Sequence, residues 1–277
     1  MKKSDVRACF CSRFGDEGIV CEPDYSQLEV VCQQVLTGDP QMRDDLLRHV
    51  DFHCLRLGLK LGEPYEEVWE KCHNVDHPEH KLYSGMRKDI KPFSFMLQYG
   101  AGDAAIAEAT GMTVDEVKEL KLREAEYYKA VGPYFDNVER SAIATRTGTR
   151  DVTKMGMPQG VGYYQTPFGL RFTFTEVDAP KFKRERGEMV CFYRPHILNY
   201  PSQGSGGYFA RMALGRLFRY LALNDFFNFE VLITNTVHDC VWWDMKKVHL
   251  DNVMPDIMAI MEGIPHYLES VHDFKVE

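Results

Sequence analysis

Hydrophobic and polar positions recur along this chain with two periods, and the switches between them mark its elements. Residues 17–24 (Glu-Gly-Ile-Val-Cys-Glu-Pro-Asp) predict a strand that ends at a carboxylate. From Ser26 to Leu36 the spacing of Leu28, Val31, Cys32 and Val35 predicts a helix. A strand thus delivers Asp24 to a strand–helix junction. Gly62-Glu63-Pro64 opens a further helix with proline in its first turn, and Thr113-Val114-Asp115-Glu116 has the form of a capping box before one long pattern that reaches Val131. Between residues 160 and 176, Tyr164, Phe168, Phe172 and Phe174 alternate with polar or small residues around Pro167 and Gly169, which predicts a short hairpin. From Gly207, the residues Phe209, Ala213, Leu217, Tyr220 and Leu221 define one buried helical face. Two β-rich runs, Val231–Val237 and Val241–Met245, then flank His238-Asp239-Cys240, the pattern of a hairpin with a carboxylate at its tip.

Composition narrows the class. In 277 residues, 44% are hydrophobic and 27% charged, which excludes disorder, collagen and coiled coil and suits a globular body with a real core. No internal repeat, low-complexity tract or Pro/Gly/Ser-rich linker divides it. No apolar run approaches the roughly 20 residues that span a bilayer, and Met1-Lys2-Lys3-Ser4-Asp5 lacks the apolar core of a secretion signal. Eight cysteines at irregular positions fit reduced thiols better than a disulfide framework. Together these predict a cytoplasmic protein without membrane partners. A net charge of −8 opposes binding to a polyanion on average, yet charge is unevenly spread. Arg140 to Arg186 holds nine basic residues against four acids, so this segment is +5 and the remainder −13. Its basic cluster at 181–186 reads as a solvated face.

Candidate chemistry begins with Asp24 and Asp239, which strands more than two hundred residues apart place where apolar segments give way to solvent. Taken alone, an aspartate at a strand end is most often a cap or turn residue. Paired carboxylates, however, are ligands for hard cations, and two magnesium ions can activate an attacking hydroxyl and stabilise the leaving oxygen of a phosphoryl displacement. Between the two aspartates, Arg87, Lys91, Phe95 and Tyr99 recur every four residues and would form one stripe on a helix. Such a stripe can hold a triphosphate at one end and stack a base and sugar at the other.

These segments resemble the family A DNA polymerases of the DNA polymerase I type, which include many phage replicative enzymes. Asp24-Tyr25-Ser26-Gln27-Leu28-Glu29 is similar to the family's first palm motif, Arg87 to Gly100 to its fingers helix, and Val237-His238-Asp239 to its last palm motif. Asp51-Phe52-His53 resembles its histidine-bearing turn, and Asn199-Tyr200-Pro201-Ser202-Gln203-Gly204 its stretch contacting template and primer. All five stand in family order. The resemblance implies an α+β fold, an antiparallel palm sheet with helices (residues 1–50 and 190–277) plus mostly helical fingers (51–189). It implies DNA-directed DNA synthesis from deoxynucleoside triphosphates, in DNA replication and, for a phage enzyme, in the host cytoplasm.

Carried over by position, the resemblance gives Asp24, Asp239 and the Tyr25 backbone carbonyl to two Mg2+ ions. It sets Glu29 against a ribose 2′-hydroxyl and Gln27 near the nucleotide and primer end. His53, Arg87 and Lys91 would grip the triphosphate, with Lys91 also giving a proton to departing pyrophosphate. Phe95 would pack on the deoxyribose and, being Phe instead of Tyr, discriminate against dideoxynucleotides. Tyr99 would stack at the insertion site. Arg194, Asn199, Gln203 and His238 would bind DNA.

Departures from the family pattern are plain. Cys240 replaces the carboxylate that usually follows the last motif's aspartate, Val31 replaces an arginine, and Arg194 stands five residues before Asn199 where four are expected. Pro92 places the start of the fingers helix at Lys91, leaving Arg87 on the preceding turn. Only 23 residues precede Asp24. The expectation is therefore a split polymerase whose second polypeptide supplies the thumb and any exonuclease, with a fragment or truncated reading frame as the rival explanation. A non-catalytic DNA-binding or scaffold subunit derived from a polymerase is the alternative, and a two-carboxylate nuclease a third reading. Cys72, His73, Asp76, His77 and His80, with Cys9, Cys11 and Cys21 elsewhere, offer zinc-type ligands, but without the paired spacing of known structural sites, which reads against zinc.

Overall fold

The computed structural model describes residues 10–271; the start at Met1 to Asp5 and Cys9 lie outside the described residues. After a 3-10 turn at Gly15–Glu17 come β1 (Gly18–Cys21), α1 (Leu28–Thr37), α2 (Pro40–Leu47), α3 (Phe52–Leu61), α4 (Tyr65–His73), α5 (His80–Asp89), α6 (Lys91–Gln98), α7 (Asp103–Thr110), α8 (Val114–Tyr127) and α9 (Val131–Ala144). Then follow β2 (Thr147–Val152), β3 (Pro158–Gln165), β4 (Arg171–Asp178), α10 (Lys181–Arg184), β5 (Val190–Phe192), α11 (Arg194–Leu223) and α12 (Phe226–Phe229). The chain ends its described course with β6 (Val231–Val237), β7 (Cys240–Lys246), α13 (Leu250–Glu262) and α14 (Ile264–Val271). It divides into two compact units, residues 1–32 with 203–277 and residues 33–202. No helix among the described residues is long and apolar enough to cross a membrane.

The first unit is built on a three-stranded antiparallel sheet in the order β1-β7-β6. Strand β7 is central, and its alternation buries Val241, Trp243 and Met245 at 3%, 0% and 0% exposure. The predicted face of α11 is buried as well, through Phe209, Ala213, Leu217 and Leu221, while Tyr220 turns its hydroxyl to Asp256 at 2.7 Å. The sequence predicts this helix from Gly207, yet it begins at Arg194 and continues through Pro201 and three glycines. Burial of Ile197, Ser202 and Ser205 on the same helix outweighs the weak propensity of those residues.

The second unit has two cores. One gathers Cys54, Leu57, Val68, Cys72, Tyr83, Ile90, Phe93, Ile106, Val117 and Leu120 from α3 to α8, with the buried Arg56–Glu124 ion pair (2.8 Å) tying α3 to α8. The other packs α9 and the start of α11 on the antiparallel sheet β2-β3-β4-β5 through Phe135, Val138, Tyr164, Phe174, Phe192 and Ile197. The predicted hairpin is β3–β4, with Tyr164 opposite Phe172. The capping box at Thr113 and Glu116 forms with both hydrogen bonds. The long pattern behind it breaks at Tyr128, because that side chain is pulled inward to donate to buried Asp45 at 2.8 Å. Two helices therefore replace one.

Candidate active site

The candidate residues fall into two clusters, each built inside one unit. In the first unit, β1 runs antiparallel to β7 with Cys21 opposite Trp243, and the ladder continues as Val241 N–H donates to the Pro23 carbonyl at 3.1 Å. Asp24, the next residue, is exposed at the open end of this pair. On the other side of β7, Val237 faces Cys240, so His238 and Asp239 form a two-residue turn. The register thus carries both aspartates to the same end of the central strand. Burial and the Asp24 carboxyl, which lies within hydrogen-bonding reach, push the Asp239 carboxyl above its ordinary range, while His238 opposes the shift. Two non-glycine residues with left-handed backbone flank the acids, Gln27 at φ 56° and His238 at φ 57°. Such strain persists where surrounding structure holds it, and here it turns the chain sharply beside each carboxylate.

Behind the acids lies α1. Tyr25 anchors the loop by donating its hydroxyl to the Met261 carbonyl at 2.9 Å, and burial with nearby Cys32 and Asp239 raises the phenol. Cys32 is fully buried, and burial, then Glu29 and Asp239, push its thiol up. Glu29 accepts from Gln203 Nε2 at 3.3 Å, so two residues predicted at nucleotide and DNA touch each other.

In the second unit the predicted stripe is divided. Arg87 belongs to the last turn of α5, Ile90 ends that helix, and α6 starts at Lys91 with Pro92 in its first turn, where a missing N–H costs nothing. Tyr99 caps the far end, and Phe95 and Tyr99 are 49% and 38% exposed, large aromatics left open to solvent. Gly100 then takes φ 70°, and a Cβ there would sit 2.9 Å from both Leu198 Cδ1 and Pro195 Cα, so only glycine fits this close approach to α11.

His53 stands beside this helix. Its Nδ1 lies 3.1 Å from Ser94 Oγ and its ring meets Phe95 edge-on at 5.9 Å. Burial, opposed by Asp51 and reinforced by Arg56, Arg87 and Lys91, depresses the imidazole to about 4. It is therefore neutral at pH 7, a hydrogen-bonding group amid fixed cations. Asp51 holds this corner together. Its Oδ1 caps α3 by accepting from His53 N (2.9 Å) and Cys54 N (3.2 Å), and its Oδ2 accepts from Arg87 Nε at 2.8 Å and from Arg87 Nη2. The carboxyl is held low despite burial, by Arg87 and by those two amides. Asp51, Cys54 and His73 also bring one ligand atom each within 4.8 Å of one another, a group able to hold a metal ion.

Further along the second unit, Arg194 is bound to Glu139 (2.5 Å) and Asp136 (3.0 Å), so its guanidinium is engaged inside the protein. Asn199 Oδ1 is buried and takes no hydrogen bond among the described residues. Sequence reasoning assigned no role to Asp51 or Ser94. The signal for Asp51 was its place directly before a helix start, where an aspartate caps and can still offer its second oxygen.

The model of DNA polymerase family A matches residues 1–276. The chain belongs to DNA polymerase family A. DNA polymerase I of Lactococcus lactis subsp. lactis (strain IL1403) is 24% identical over 246 residues, covering 89% of this chain and 24% of that protein. The DNA polymerase of Bacillus phage SP01 is 23% identical over 269 residues, covering 96% of this chain and 25% of its own length. The chain therefore spans about a quarter of the length of these family A relatives. The POL domain of Pol1 from M. smegmatis, solved in complex with DNA primer-template and dNTP, superposes with a TM-score of 0.58 at 18% identity, over 95% of this chain and 39% of that one. That likeness shows the family's α+β fold of palm and fingers.

Proposed function

We propose that this family A chain is the palm and fingers of an enzyme that extends a DNA primer on a DNA template by nucleotidyl transfer from dNTPs. The observation that carries this reading is the meeting of Asp24 and Asp239, two carboxyls crowded together at the open end of β7 although the sequence sets them far apart. The donor set fits hard cations, because two carboxylates and the Tyr25 backbone carbonyl are all oxygen ligands. Two Mg2+ ions bound there would lower the pKa of the primer 3′-hydroxyl and stabilise the departing pyrophosphate.

The chain's own residues supply the rest. Lys91 offers positive charge to a triphosphate, Arg87 adds its own only by turning from Asp51, and neutral His53 offers a hydrogen bond without a proton to lose. Lys91 is placed at the first turn of α6 to protonate the leaving group. Phe95 and Tyr99 present aromatic faces for sugar and base. Glu29, steadied by Gln203, excludes a 2′-hydroxyl. Gln27 and His238 flank the acids where the primer end would lie, and Gln203 and Asn199 bind the nascent duplex. Asn199 suits that task because its buried oxygen takes no hydrogen bond among the described residues. Arg194 joins them only by leaving Glu139 and Asp136. On this reading the work is done in the cytoplasm, with a second polypeptide providing a thumb.

The test is primer extension with labelled primer–template, Mg2+ and dNTPs, with and without a thumb-bearing polypeptide, alongside Asp24→Ala and Asp239→Ala. Elongation that either substitution abolishes supports the proposal. Duplex binding without elongation in every pairing supports the scaffold reading instead, and shortening of the primer supports a nuclease.

A further inference from the structure

The four-stranded sheet of the second unit borders an open cavity in which neither aspartate of the candidate site takes part. About 980 Å³ of space lies where β2, β4, α10, β5 and the start of α11 converge. Buried Phe192 and half-buried Val177 and Cys191 line its inside. Val152, Phe182 and Tyr193 line it too but stand open to solvent, at 61%, 58% and 45% exposure. Apolar side chains of that size gathered at one surface opening mark a place of contact, and the volume suits a ligand that buries a ring.

The charge around this opening is the second observation. Lys154 and Lys183 line the cavity, and Lys181 and Arg184 share α10 with Lys183. Lys154 makes no ion pair among the described residues, and Arg184 sets its Nη1 against Met155 Sδ at 3.1 Å, where a carboxylate would be the usual partner. The acids that line the cavity are already matched. Asp178 accepts from Thr153 Oγ1 and, at 3.1 Å, from the Met155 amide, while Glu139 holds Arg194 at 2.5 Å. Lys183–Glu188 (3.6 Å) and Lys181–Glu185 (3.9 Å) are loose surface pairs that an incoming phosphate can exchange at little cost. The basic cluster that the sequence reads as a solvated face thus rims an aromatic opening.

We propose that this cavity and its rim bind single-stranded nucleic acid, with one unpaired base against Phe182 and Tyr193 and the adjoining phosphates on Lys154, Lys181, Lys183 and Arg184. Exposed aromatics beside cations are what a single strand needs, since every base has a face to stack and every linkage a charge to meet. Cations alone would serve a duplex, but paired bases hide their faces from aromatic side chains. An uncharged apolar ligand would leave four cations without a use, and α10, at four residues, is too short to lay an apolar stripe on a lipid surface. The net charge of −8 repels a polyanion elsewhere, so cations gathered at one opening decide where a strand settles. The inference stands apart from the catalytic reading, because Asp24, Asp239 and Lys91 take no part in it.

The experiment uses the whole chain in EDTA with three probes, a 5-iodouracil-substituted oligothymidylate, an abasic strand of equal length and a blunt duplex. Photocrosslinking of the first, followed by peptide mapping, should place an adduct on Phe182 or Tyr193, in the unmutated chain and in Asp24→Ala alike. Phe182→Ala and Tyr193→Ala should each weaken oligothymidylate binding by roughly fivefold or more and leave the abasic strand nearly unchanged. Lys154→Gln and Lys183→Gln should each flatten the slope of log affinity against log salt by about 0.7. Adducts found only outside residues 152–196 would overturn the proposal, as would equal losses for the thymidylate and abasic strands. Stronger competition for the adduct by the blunt duplex, by polyglutamate or by anionic lipid vesicles than by unlabelled oligothymidylate would assign the surface to another partner and overturn it too. Mapping is done on the unmutated chain, so a variant that fails to fold leaves the test in force. Absent primer extension with the adduct in place would count against the catalytic reading alone.

Discussion

The two clusters place an aspartate at the end of a segment and treat its charge in opposite ways. In the first unit, Asp239 is pushed up by burial and by Asp24, and the charge of exposed His238 opposes the shift. In the second unit, Asp51 is more deeply withdrawn from water but is held low by Arg87 and two backbone amides. The difference separates a carboxylate whose charge the fold has already matched from a pair with charge left to offer. A hard cation is attracted to the unmatched pair.

Replacing Asp239 by Asn should produce the largest effect. Elongation should fall by about a hundredfold or more, since ligands that stabilise transferring phosphoryl charge are worth several kcal/mol. Stability should hold or rise near pH 7. The folded carboxyl titrates above its unfolded value, so between the two pKa values the folded state binds the extra proton, and stability falls as pH rises through that window. Asn removes the repulsion present at higher pH. Single-turnover extension and urea unfolding of the same preparation test this together. Lost elongation with a clear loss of stability would make Asp239 a structural acid and erase the contrast with Asp51.

Legibility in the sequence divides along the same line. The pattern predicts β6 to the residue and β7 to within one at either end, because alternation on a half-buried strand is a local signal. Asp24 and Asp239 were visible for the same reason, each lying where such a strand stops. The Arg87–Asp51 pair was not, since residues 36 apart meet only through the packing of α3 against α5. Nothing in the alternation around Asn199 announced that α11 begins at Arg194, as proline and glycine there argue locally for a break that burial overrides. The closeness of Asp51, Cys54 and His73 was not legible either, because they come from two helices whose facing ends no single segment encodes.

The next effect in size is on stability alone. Asp51→Ala in EDTA should cost about 2–3 kcal/mol, of which about 1 is the lost α3 cap and the remainder the half-buried Arg87 left without its acceptor. Asp51→Asn should cost less, because the amide oxygen still caps. Asp24→Ala, at an exposed loop position, should stay within about 0.5 kcal/mol. Chemical denaturation of the three variants gives the ranking. Equal losses for Asp24→Ala and Asp51→Ala would remove the distinction between matched and unmatched charge.

The smallest effect is a slope against pH. His53 is depressed to about 4 by burial and by Arg56, Arg87 and Lys91, against an ordinary value of 6.5. Between those values the unfolded chain holds a proton that the folded chain refuses, so this residue's contribution is lost progressively as pH falls from 6.5 through 4. His53→Gln keeps a polar group near Ser94 and should flatten that part of the stability profile. Histidine NMR offers the sharper reading. The imidazole should titrate near 4 in the metal-free chain and move upward when a dNTP brings its phosphates to Arg87 and Lys91, because their positive charge is then compensated. Titration near 6.5 before any nucleotide is added would mean that His53 is solvated and that these cations do not converge on it.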